Sequence, residues 1–159
     1  MRLSETNGIV YVFKPGDHGS SGVKGDSINT KYCTHVTFLL QLAGLTDNGS
    51  AGAVLTVKSG AGAGTETTAE EFYYRTAGAA QGAAGADVYA AETGVKSLEL
   101  LKATFENKLL IVEVPVAELT EGQPWITLSL SDAGTAANAS CVAILSGMKY
   151  KANQPPSSI

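Results

Sequence analysis

"PWITLSLSD", residues 124–132, decides the fold class. In an extended chain Ile126, Leu128 and Leu130 fall on one face, and Thr127, Ser129 and Ser131 on the other. That alternation is the pattern of a strand with one buried side. Its neighbours read the same way. "NKLLIVEVPV" (107–116) sets Val112 and Val114 opposite Glu113, and "AVLTVKSG" (53–60) sets Leu55 and Val57 opposite Val54 and Thr56. "GIVYVFKP" (8–15), "THVTFLLQLAGL" (34–45), "EEFYYRTA" (70–77), a short "DVYAA" (87–91) and "ASCVAILSGMKY" (139–150) complete about eight strand-like runs. Gly, Asn and Asp turns separate them. The expected fold is therefore all-β: an antiparallel β-sandwich or jelly-roll-like barrel. At most one or two short helices are expected. "SLELLKATF" (97–105) places Leu98, Leu101 and Phe105 at helical spacing, and "VAELTEG" (116–122) reads as a single turn ending at Gly122.

"TAGAAQGAAGAD" (76–87) is the one stretch that could divide the chain. The runs on either side have the same character, and two halves of a 159-residue chain would each hold a marginal core. It reads as a long loop at one edge of a single domain. The expected organisation is a flexible N-terminal segment with the first strand (1–29), a β-sandwich domain (30–150) and an extended, Pro-containing tail (151–159).

Composition narrows the function. Charged residues are only 16% of the chain and the formal net charge is −4, so no broad basic field exists for phosphates, and no direct nucleic-acid partner is expected. No apolar run reaches a membrane span and the N-terminus lacks the form of a signal peptide, so no membrane partner is expected. Cys33 and Cys141 read as small buried hydrophobes, able to pair only if their strands are neighbours.

No catalytic, cofactor-binding or metal-ligating residue is assigned, and no cofactor. "GDHGSSGVKGDS" (16–27) brings Asp17, His18, Ser20 and Ser21 together, but triad members normally come from separate segments of a rigid scaffold. The same stretch lacks the spacing of a phosphate loop, as does "SGAGAGT" (59–65). Cys33 and His35 lie two apart without further ligands beside them. Glu66, Glu70 and Glu71 read as a solvated edge rather than a glycosidase pair. Tyr73, Tyr74, Tyr89 and Trp125 read as core or interface anchors.

One resemblance extends this reading. The order "THVTFLLQLAGLTDNGSAGAVLTVKSG", "EFYYRTAG", "DVYAAETG", "NKLLIVEVPVAELTEGQPWITLSLSDAG", "ASCVAILSGMKY" resembles small virion structural proteins of tailed bacteriophages, over residues 30–150. The resemblance implies a non-enzymatic capsid decoration (cement) protein on the outside of the virion shell. Its implied partners are the major capsid protein and itself, as a homotrimer or else a dimer. It carries over no functional residue. Segments 1–29 and 151–159 are the expected contacts with shell or neighbour. Alternatives are a head–tail connector or tail subunit, and a carbohydrate-binding β-sandwich using Tyr73, Tyr89 or Trp125.

Overall fold

Alternation along each run becomes pairing between runs. A computed structural model describes residues 3–46 and 52–149. The expected tail, 151–159, lies outside them. The larger sheet runs in the order β1 (Gly8–Asp17), β12 (Asn138–Ser146), β4 (His35–Ala43), β10 (Leu109–Pro115), β7 (Phe72–Thr76) and β8 (Thr93–Val95). In the second sheet β11 (Trp125–Leu130) and β5 (Ala53–Gly60) lie side by side. β2 (Val23–Lys24) and β3 (Ile28–Asn29) share the free side of β11, while β6 (Thr68–Glu70) and β9 (Leu98–Leu100) share that of β5. Every pairing is antiparallel. The chain is all-β, with two six-stranded antiparallel sheets in a sandwich, as the alternation requires.

The inward faces make one core. Val36, Phe38, Leu40 and Leu42 of β4 lie beside Ala139, Cys141, Ala143 and Leu145 of β12 and Leu110, Val112 and Val114 of β10. Leu55, Val57, Ile126 and Leu128 belong to the same buried cluster from the second sheet. Large side chains on β4 beside alanines on β12 let the layers interdigitate. Each fully buried Leu, Val, Ile or Phe contributes about 1.5–3 kcal/mol.

The sheets are joined along both long edges. A single residue, Glu71, carries the chain from β6 in one sheet to β7 in the other, and Lys96 and Ser97 do the same between β8 and β9. At the opposite edge the Asp26 amide donates to the Val12 carbonyl at 3.1 Å and the Gly25 amide to the Leu128 carbonyl at 2.8 Å. Gly25 allows this approach: a Cβ there would stand 2.5 Å from Val12 Cγ1 and 2.6 Å from the Leu128 oxygen.

Three expectations change. Seven of the eight runs form strands, while "DVYAA" (87–91) makes only an isolated bridge from Tyr89 to Ala77. Five further segments of two or three residues, too short to leave a periodic trace, pair with sheet edges and bring the strands to twelve among the described residues. "SLELLKATF" is not one helix. Leu98 and Leu100 are buried on either side of exposed Glu99, so β9 completes the edge of β5, and only Lys102–Phe105 is helical. The helix turns Phe105 inward against Tyr74, with ring centroids 6.4 Å apart. Finally, much of the segment expected to be flexible (1–29) is built into the sandwich. β1, β2 and β3 occupy edge positions in both sheets, and Leu3–Thr6 forms a helical turn before them.

The 76–87 stretch runs from the end of β7 and folds over one end of the larger sheet. Ala77 donates to the Leu109 carbonyl at 3.0 Å, Gln81 to that of Asn107 at 2.9 Å, and Gly78 to that of Val88 at 2.7 Å.

Candidate functional site

The 17–20 turn is a structural cap. The Asp17 carboxylate accepts the Ser20 hydroxyl, the amides of Gly19 (3.1 Å) and Ser20 (3.3 Å), and the Ala137 amide (3.0 Å) across the sheet edge. The Ser20 bond, then the Ala137 bond, hold its pKa below the ordinary aspartate value. His18 turns the other way: Nε2 donates to the Lys14 carbonyl at 2.8 Å, and its ring packs edge-on to Phe13. Ser20 is thus bonded to the acid rather than to the imidazole, and the triad arrangement is not formed.

The acidic cluster departs further from expectation. Glu66 and Glu70 are buried; only Glu71 is the solvated residue expected of all three. Glu66 forms an ion pair with Lys24 at 2.8 Å and accepts the Gly64 amide at 3.2 Å, which anchors the "SGAGAGT" loop across β2. Glu70 accepts the Ser59 hydroxyl and the Thr120 amide (3.1 Å). Gln123 Oε1 lies 2.7 Å from the same Ser59 hydroxyl and is a second acceptor for it. Burial raises both carboxyl pKa values, but the bonds from Lys24 and Ser27 to Glu66, and from Ser59 and Thr120 to Glu70, outweigh it; both end lowered. These acids hold loops onto the second sheet.

Cys33 and Cys141 are free and buried. Cys141 faces the core in β12, opposite Leu40 and Phe13, while Cys33 precedes β4 and bonds the Thr30 carbonyl. Desolvation pushes the Cys33 thiol up to about 11 and Cys141 higher still. His35 is exposed, and no group of three His, Cys, Asp or Glu that could hold a metal occurs among the described residues. The aromatics do not share a platform. Tyr73 lies on the larger sheet and donates to Glu118 at 2.8 Å, Trp125 begins β11 in the other sheet, and Tyr89 bridges Ala77 from the long loop.

The outer face of the larger sheet is the feature that sequence reasoning missed. Register places Tyr11, Val142, Leu39 and Ile111 in one row across β1, β12, β4 and β10, ending at Arg75 of β7. The next row runs Ile9, Ile144, Thr37, Glu113 and Tyr73. Tyr11 is 57% exposed and Ile9 49%, and the central residues of both rows are half-buried. Four strands at 4.8 Å spacing spread the first row over about 14 Å. The signal was present: "FLL" (38–40) and "LLIV" (109–112) are continuous apolar runs, which mark strands with apolar residues on both faces.

No known family's model matches this chain, and no curated protein matches it in sequence. No helix among the described residues is long and apolar enough to cross a membrane.

Proposed function

We propose that this chain is a non-enzymatic virion structural protein that binds the outer surface of a bacteriophage capsid and stabilises the shell. The observation that carries the proposal is the apolar outer face of the larger sheet. Half-buried Val142, Leu39, Ile111 and Ile144, continued by the exposed side chains of Tyr11 and Ile9 and interrupted by Thr37, Glu113 and Arg75, have the mixed apolar and polar composition of a binding surface. The remaining polar clusters fit the same reading. Asp17, Glu66 and Glu70 tie loops to strands and stiffen the sandwich, which suits a brace between shell subunits. The resemblance over residues 30–150 supplies the partners: the major capsid protein and further copies of this chain, as a homotrimer or else a dimer. On a symmetric shell many weak contacts act together, so each need bury little area.

Co-sedimentation tests the proposal. Mixed with expanded, undecorated shells of its phage's major capsid protein, the chain should pellet at a fixed ratio to the shell subunit and raise the shell's disruption temperature. A chain that stays in the supernatant at saturating concentration refutes the assignment.

A further inference from the structure

The long loop encloses a recess that the capsid reading does not use. Where "TAGAAQGAAGAD" folds over the ends of β4 and β10, a cavity of about 500 Å³ remains. Its apolar lining is small: Ala and Leu side chains, with Leu42 and Ala77 themselves buried. Around it stand Gln81 and Asp87 from the loop, Asn107 and Lys108 from the turn before β10, and the half-buried ring of Tyr89. Gln81, Asp87, Asn107 and Lys108 have no side-chain hydrogen bond or ion pair within the described residues. Asn107 is also the one non-glycine residue there with positive φ, 54°, and its carbonyl holds the loop through the Gln81 amide at 2.9 Å. Asn is at ease in this conformation, and here it ends the short helix Lys102–Phe105 and turns the chain into β10.

The geometry points to a saccharide site in this recess, taking one or two sugar residues of a glycan. The volume lies within the roughly 300–1,000 Å³ of ligand pockets. The unpaired amides of Gln81 and Asn107 each offer a donor and an acceptor, which suits neighbouring hydroxyls. Asp87 accepts and Lys108 donates, and their charges offset, so the recess favours a neutral polyhydroxylated ligand over a phosphate. The small alanines and the Tyr89 ring offer apolar surface to the C–H face of a sugar ring. This inference does not depend on capsid binding.

A glycan array probed with the intact chain should give hits. Saturation-transfer NMR with the methyl glycosides of glucose, galactose, rhamnose and N-acetylglucosamine at millimolar concentration should then show contact with at least one. Asp87→Ala removes the acceptor. Asn107→Gly removes the amide but keeps a residue at ease with positive φ, so the loop stays in place. Each should weaken binding about tenfold, the loss of one good polar contact; Lys58→Ala, on the other sheet, should not. No hit on the array and no saturation transfer from any of the four glycosides overturns the site. So does binding that both variants leave unchanged. Circular dichroism of each variant keeps a folding defect from passing as a binding loss.

Discussion

Glu70 is expected to be worth more to this fold than any exposed acid. Its carboxylate accepts the hydroxyl of fully buried Ser59 and the Thr120 amide, and so holds the 116–123 segment against β5 and β6. Glu70→Gln keeps the shape but removes the charge. Hydrogen bonds to a charged group contribute about 1.5–3 kcal/mol each against about 0.5–1.5 for neutral pairs. Two weakened bonds, partly offset by relief of the buried charge, put the loss at about 1–2 kcal/mol. Glu70→Ala leaves the Thr120 amide without its acceptor and the Ser59 hydroxyl with Gln123 alone, and should cost about 2–4 kcal/mol. Urea titration at pH 7 would show a lower midpoint with an unchanged slope. The pH dependence is a second check. The carboxyl pKa in the folded chain lies below the ordinary 4.5, so the stabilisation is fully present above that value and is lost as pH falls through the lowered one. The deficit of Glu70→Gln relative to the parent should therefore shrink below pH 4.5. A Glu70→Gln midpoint equal to the parent's at pH 7, or a deficit as large at pH 3 as at pH 7, would refute the reasoning.

Gly25→Ala should cost about 1–3 kcal/mol, because the added methyl meets a backbone carbonyl and Val12 where the sheets are pinned together; a melting temperature unchanged within error would show that the edge can yield. Cys33 and Cys141 should resist Ellman's reagent at pH 8 in the native chain and react only in denaturant, since burial keeps both thiols protonated. Tyr11→Glu should abolish shell binding while leaving stability within about 0.5 kcal/mol, the usual range for an exposed position; full retention on the shell would remove the outer face from the interface.

The class of fold was legible in the chain, and the reason is local. "PWITLSLSD" and "AVLTVKSG" each put their apolar residues on one side, and side-chain period in a strand depends on nothing beyond the backbone. Burial of the two cysteines was legible from residue type instead, since a free Cys behaves as a small hydrophobe. The helix expected over 97–105 failed because Leu98 and Leu100 answer to the free edge of β5, some 45 residues earlier in the chain. Glu66 and Glu70 could not be separated from Glu71 by sequence, because what buries them is Lys24, Ser59 and Thr120, brought in from distant segments.

Sequence by itself determined that this chain alternates, turns at its glycines and folds as antiparallel β-structure, either a sandwich or a barrel; the two separate sheets of a sandwich were settled by the pairing. Tertiary structure alone decided which acids are buried, that the N-terminal strands belong to both sheets, and that Tyr11, Val142, Leu39 and Ile111 line up. Those four residues come from four strands spread over a hundred positions, and only the register of pairing puts them side by side. Period is a property of each segment, whereas register and burial belong to pairs of segments, and those exist only once the chain has folded.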